Sequence, residues 1–508
     1  MVKAHFLFLV AITSGFLLTI QLIALQYLLR QATIEEPTQW KLLDTITTAA
    51  QRFNIPIFVV DRFILNLIEN GTYLNNNDWF HMTSITTTME TISKSETKRM
   101  KANKLVRSVL MNEQASITGD NNNIRCRIFC HDSENRKITY LATLSDFVTQ
   151  ESLASFSSFL SLNHKLTVIS LSDMDPTLRH LNLHVKIPTH LIVVDEEVDI
   201  RKNSHVIHIS IFHDRVQGKY WWQAPIKMNE NQERILHRQG LKRMMLHNAL
   251  HLNAIYAKTT VLHTTIDGLN ISLPYPVNSF LNSIEKHLFI DNDLKRAAEF
   301  HAQFPKEESY EANQFRNKAT ALLTKVHHLL ENNLHIPFWL SSGTLLGYYR
   351  QCDFITYSGD VDIGIWAQDF RPEIIETFSA ANIPLIHWFG RPNDSLELSF
   401  LSGDLKLDIF FFYRESDHFW NGGTQARTGL KFKYSFPKFT LCWTEFIGLL
   451  LRIPCETESY LEANYGKQWF VPTKNWDWKS SPPNVKPNGQ WESREWPETI
   501  RLLPLPDL

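Results

Sequence analysis

The stretch Ser358-Gly359-Asp360-Val361-Asp362-Ile363-Gly364-Ile365 leaves the chain few ways to fold around it. Its alternating apolar residues mark a β-strand, whose successive side chains point to opposite faces. Val361, Ile363 and Ile365 then enter a core, and Asp360 and Asp362 share the other face. Their backbone positions lie roughly 7 Å apart, at about 3.3 Å of rise per residue. Two carboxylates so placed repel each other, and one tends to hold a proton unless a cation joins them. Oxygen-only ligands suit Mg²⁺ or Mn²⁺ carrying a phosphate substrate. Asp-x-Asp by itself is common at solvated strand edges, so its surroundings decide how it is read.

Upstream runs Pro337-Phe338-Trp339-Leu340-Ser341-Ser342-Gly343-Thr344-Leu345-Leu346-Gly347-Tyr348-Tyr349-Arg350, an apolar strand entering a Gly turn and a helical segment. Glycine lets backbone approach a phosphate, and a helix N-terminus offers it free N–H groups. Gly343 and Thr344 are therefore expected at phosphate, with Arg350 as a cation for phosphate charge. A third carboxylate, Asp408, sits in the strand-like Leu405-Lys406-Leu407-Asp408-Ile409-Phe410-Phe411-Phe412-Tyr413. Strand, Gly turn, helix, Asp-x-Asp strand and a later Asp on a strand is the order of parts in the nucleotidyltransferase fold. That combination is far more specific than any piece. Glu397 alternates with Leu396 and Leu398 on a further strand; it either reaches the site or faces solvent. Lys431 and Lys433 follow Trp420-Asn421-Gly422-Gly423-Thr424-Gln425-Ala426, which reads either as a mobile phosphate-contacting loop or as a surface hairpin.

A chain of 508 residues is long for one core, and two domains are expected. Basic and acidic residues nearly balance, 51 against 53, which argues against a dedicated nucleic-acid binder. The predicted class is α/β (α+β). Residues 1–5 read as a cytoplasmic tail and 6–29 as a transmembrane signal anchor, because an uncharged run of about 20 residues spans the hydrocarbon layer. Residues 30–39 form a stem. Residues 40–291 form an N-terminal luminal α/β domain, with a polar, exposed insertion at 83–123. Residues 292–508 form the catalytic domain, around a mixed sheet. In the first half, a helix is expected over 40–53 and strands over 55–60, 125–130, 166–171, 190–194, 206–212 and 219–222. Residues 288–330 read as helical, as do 372–381 and 460–465, the last ending at Gly466. The tail from Trp476-Asp477-Trp478 onward wraps the surface. Cys126 and Cys130 suit a disulfide or half a metal site, and an odd total of five cysteines leaves at least one thiol without an intrachain partner. His247 and His251 stand one helical turn apart, as a plain helix surface or as two metal ligands. Asn70, Asn270 and Asn393 begin glycosylation sequons.

Long strings in the second half resemble the fukutin family of LicD-type nucleotidyltransferase-fold proteins. They include Ile336-Pro337-Phe338-Trp339-Leu340-Ser341-Ser342-Gly343-Thr344 and Lys433-Tyr434-Ser435-Phe436-Pro437-Lys438-Phe439-Thr440-Leu441-Cys442-Trp443. Residues 420–426, 460–467 and 476–488 match as well, and a weaker likeness covers most of the first half. The chain departs from the family at Gly359, where a lysine is expected. The resemblance implies a single-pass type II Golgi membrane protein. It implies transfer of ribitol 5-phosphate from CDP-ribitol to a phosphorylated O-mannosyl glycan on a dystroglycan-like glycoprotein. It also implies a divalent metal held by Asp360, Asp362 and Asp408, with Asp408 either completing that site or accepting the acceptor's proton. Other Golgi glycan enzymes would be partners. A metal-dependent glycosyltransferase with another nucleotide donor, and a non-catalytic Golgi scaffold, are the alternative readings.

Overall fold

A computed structural model describes residues 38–69, 83–84, 126–132, 136–178, 183–195, 205–238, 253–284 and 288–504. The expected tail and anchor, residues 30–37 of the stem, residues 85–123 of the insertion, Asn70, His247 and His251 lie outside the described residues. Among the described residues, no helix is long and apolar enough to cross a membrane.

The structure is mixed α/β, with two mixed sheets. The first runs, edge to edge, Thr83–Ser84, Thr260–Ile266, Leu269–Tyr275, Phe58–Val59, Ile138–Leu144, Val206–Arg215, Lys186–Asp195 and Leu166–Met174. Thr83 and Ser84, expected to open the exposed insertion, pair with His263 and Leu262 instead. Within the strand expected over 125–130, the described residues 126–130 are not a strand. From Cys126 onward they form a turn closed by a Cys126–Cys130 disulfide. The central strand Ile138–Leu144 escaped sequence reading because both its faces are covered, so it lacks clean alternation. The helices Thr38–Arg52 and Gln150–His164 cover this sheet, burying Leu43, Ile46, Phe156 and Leu160.

The second sheet runs Leu441–Phe446, Leu449–Pro454, Phe338–Leu340, Asp360–Trp366, Leu405–Arg414, Asp394–Ser402, Leu385–Arg391 and Ile500–Leu502. The strands His418–Gln425, Leu430–Pro437 and Val485–Gln490 extend from the Asp408 strand. The segment around Lys431 and Lys433 is thus a β-hairpin. The helix expected over 288–330 is two helices, Leu294–Gln303 and Tyr310–His327. Pro305 stands between them and cannot continue the first. Ser309 starts the second by accepting the Ala312 N–H at 3.2 Å. The two sheets meet where Trp222, Ile255, Phe289 and Leu450 pack together. Arg215 pairs there with Asp291 at 2.5 Å and with Glu445 at 3.6 Å.

One polar network lies inside the first sheet. His190 and His208 are fully buried. His190 Nε2 lies 2.9 Å from the Ala224 carbonyl, which only accepts. His190 therefore donates there and accepts from His208 Nε2–H through Nδ1, at 3.1 Å. Both rings are neutral in this arrangement. Burial pushes His190 down to about 4 and His205 down to about 3, and it holds His208 well below the usual histidine range. Unfolded, each titrates near about 6.5. Their neutral burial thus supports the fold above that pH, and the support is lost as pH falls toward the folded values. Each such histidine removes up to about 1.4 kcal/mol per pH unit across that window. Urea unfolding followed by circular dichroism checks this: the midpoint falls between about pH 7 and pH 5, and His208→Phe flattens the slope. A slope that His208→Phe leaves unchanged would assign the acid sensitivity to other groups.

Candidate active site

Two neighbouring parallel strands build the acidic centre. Asp362 stands in register with Asp408, and Asp360 with Lys406. Val361, Ile363 and Ile365 are fully buried on the opposite face, as their alternation requires. One carboxylate oxygen from each of Asp360, Asp362 and Asp408 lies within 4.8 Å of the other two. Asp362 and Asp408 are buried, and Asp360 is half-buried.

The Gly turn aims Asp362. Gly343 donates its N–H to Asp362 Oδ2 at 2.8 Å. Asp362 donates its own N–H to Thr344 Oγ1 at 2.8 Å, and its carbonyl accepts from Ser341 N–H at 3.2 Å. A Cβ at Gly343 would lie 3.1 Å from Asp362 Oδ2, closer than ordinary contact. Ser342 takes a φ of +41° at the start of the helix Ser342–Gln351, a conformation that costs a residue with a side chain about 1 kcal/mol or more. The turn is therefore strained and closely packed at the point where it meets the acid. Gly343 and Thr344, expected at phosphate, here hold Asp362.

The electrostatics follow from crowding. Burial, then Asp360 and Asp408, hold Asp362 well above the usual carboxylate range. Burial and then Asp408 push Asp360 up to about 6, with Lys406 opposing. Lys406 Nζ lies 2.7 Å from Asp408 Oδ2 and 3.9 Å from Asp360 Oδ2. Burial works against the Lys406 charge, but Asp408 and Asp360 outweigh it and raise its pKa. Glu397 is half-buried on the adjoining strand, two residue pairs beyond the Ser399–Asp408 pair, with its side chain on the same face. Burial, then Asp408, push it up to about 8. It therefore joins the site rather than facing solvent.

The expected cations are placed differently. Arg350 is 2% exposed, with its guanidinium on Gln351 Oε1 and 4.7 Å over the Phe300 ring. Lys431 is ion-paired with Asp394 and lies 4.1 Å over the Trp491 ring. Lys433 pairs with Glu415 at 2.6 Å. The structure therefore joins neither lysine to the trio. Among the described residues, Lys406 is the cation in contact with it. The sequence carried that signal: Lys406 precedes Asp408 by two residues, so strand alternation puts both on one face.

The donor set fits a hard divalent cation. It offers oxygen ligands alone. Asp408 Oδ1 is buried without a hydrogen-bond partner, an open acceptor facing a crowded negative cluster. A cation binding here displaces protons from Asp360 and Asp362. Mg²⁺ affinity is accordingly expected to rise as pH climbs through about 6, as Asp360 loses its proton. Calorimetry in buffers of different ionisation enthalpy would register the released protons. Affinity independent of pH would show that the trio does not share its protons with the ion.

Comparison with known proteins gives the family. A family model described as Fukutin N-terminal matches residues 78–320. A second, described as LicD/FKTN/FKRP, nucleotidyltransferase domain, matches residues 335–456, which hold all three aspartates. Human ribitol-5-phosphate transferase FKTN is 37% identical over 470 residues, covering 92% of this chain and 89% of the relative. The mouse protein of that name is 46% identical over 318 residues, 62% of this chain and 66% of the relative. An uncharacterized protein from Caenorhabditis elegans is 28% identical over 253 residues, 46% of this chain and 62% of the relative. With its nucleotidyltransferase-domain match, its acidic trio and its near full-length human relative, the chain belongs to the fukutin family.

Proposed function

We propose that this chain transfers ribitol 5-phosphate from CDP-ribitol to a hydroxyl of a phosphorylated O-mannosyl glycan on a dystroglycan-like glycoprotein. The human and mouse relatives are named as ribitol-5-phosphate transferases. The observation that carries the reading here is the trio of carboxylates within 4.8 Å, with an open buried oxygen on Asp408.

In the reaction, the acceptor oxygen bonds to the phosphorus that carries ribitol. The bridging P–O bond of the diphosphate breaks, CMP leaves, and the acceptor hydroxyl gives up its proton. Asp360, Asp362 and Asp408 are the residues that hold Mg²⁺ or Mn²⁺. When bound, the ion neutralises charge on the diphosphate and on the departing CMP. Gly343 and Thr344 fix the aim of Asp362. Lys406 keeps the trio from its full repulsion. Glu397 stands on the same face beside Asp408, within reach of a proton from the acceptor side, and burial gives it an affinity for one near neutral pH.

The same reading places residues 6–29 as a Golgi membrane anchor and the remainder in the lumen, with 292–508 as the catalytic part. Two disulfides, Cys126–Cys130 and Cys442–Cys455, support an oxidising compartment. Asn270 and Asn393 are exposed, as sequon use requires.

Purified full-length protein assayed for CMP release with CDP-ribitol, beside a panel of UDP and CDP sugars, tests the donor. Turnover with a UDP sugar and none with CDP-ribitol would favour the glycosyltransferase reading. Asp362→Asn and Asp408→Asn each lower turnover by on the order of 10² to 10³. Near-normal turnover in either removes that residue from the mechanism.

A further inference from the structure

The segment Trp476-Asp477-Trp478 puts two tryptophans beside one acid, and the mechanism above uses none of them. Trp476 is 38% exposed and Trp478 is 40% exposed, unusual for so large an apolar side chain. The turn that carries them is tied down. The Asp477 N–H donates to Ser481 Oγ at 3.0 Å, and the Asp477 carboxylate accepts from Lys479 N–H at 3.2 Å and from Ser480 Oγ at 2.8 Å. Tyr434 Oη donates to the Trp478 carbonyl at 2.8 Å. These rings are exposed on a fixed support.

A short chain of contacts links Trp476 to the acidic trio. Its ring packs against Tyr465, with centroids 4.9 Å apart and planes tilted by 40°. Tyr465 ends the helix Thr457–Tyr465. In the same helix, Tyr460 Oη lies 2.9 Å from Ser341 Oγ, and Ser341 donates its N–H to the Asp362 carbonyl. The Tyr465 phenol is held neutral by burial first, and then by the charges of Asp362 and Asp360. The aromatic pair therefore stands at the end of the helix that braces the Ser341 turn at Asp362.

We propose that Trp476, backed by Tyr465, is the platform on which the base of the donor nucleotide stacks. The inference rests on the nucleotide-donor reading. Of the parts of a CDP-polyol, only the pyrimidine is a flat aromatic ring. Base–aromatic stacking needs an exposed, immobilised ring and no particular base edge. Trp476 supplies that ring, and Tyr465 occupies the side away from the ligand.

The test is calorimetric titration of full-length protein with CMP, and separately with inorganic pyrophosphate, in the presence of Mg²⁺. Trp476→Ala weakens CMP binding about tenfold to hundredfold. Trp476→Phe keeps most of that affinity, since a phenyl ring also stacks. Pyrophosphate has no base and binds all three proteins alike. Unchanged CMP affinity in Trp476→Ala overturns the platform, as does a loss that appears only in the acceptor's KM. Wild-type protein that binds pyrophosphate but not CMP overturns the nucleotide-donor reading as well, and separates that failure from failure of the platform alone.

Discussion

Repulsion among three carboxylates governs this fold's second half. Placing Asp362 opposite Asp408, with Asp360 two residues away, gathers negative charge in a site largely withdrawn from water. Unpaired, such a group costs several kcal/mol of desolvation and Coulomb energy. The surrounding structure answers that cost at named points. Gly343 donates an N–H to Asp362, Lys406 neutralises Asp408, and protons are held more tightly by Asp360 and Glu397 than by free carboxylates. Stability given up in this way is the usual mark of a site kept for chemistry.

Rigidity beneath the trio comes from aromatic packing. Trp339 is fully buried and packs on Trp366, Phe412 and Phe439 at centroid distances of 4.8, 5.1 and 5.7 Å. It lies over Gly364, on the Asp362 strand, so closely that a Cβ there would fall 2.4 Å from the ring. Glycine at this position is thus a packing requirement. Trp339 and Trp366 fix the strand on which Asp360 and Asp362 sit, and a shifted strand would misplace both acids together. Interiors packed to this density transmit displacement rather than absorb it.

The first sheet is not an independent appendage. Arg215 leaves it to pair with Asp291 and Glu445, and it also lies 5.1 Å over Trp222 and 5.5 Å over Phe289. Phe289 bridges to Trp443, on an edge strand of the second sheet. The catalytic sheet is thereby covered at that edge, where open backbone groups would otherwise invite pairing with another chain.

Alternation determined which side chains share a face, because the strand period of two is local and needs no tertiary context. Asp360 with Asp362 and the apolar triplet Val361, Ile363 and Ile365 were legible for that reason; the same period pairs Lys406 with Asp408, a signal the sequence reading passed over. The helix ending at Gly466 was legible too, from a residue that takes a φ of +76° without a side chain to clash. The strand Ile138–Leu144 was not, since burial on both faces erases the pattern. Only the tertiary structure set the register that brings Asp408 to Asp362, and it alone sent Lys431 and Lys433 to Asp394 and Glu415. Register and ion pairing depend on what packs against both faces of a strand, and those partners lie tens of residues away in the chain.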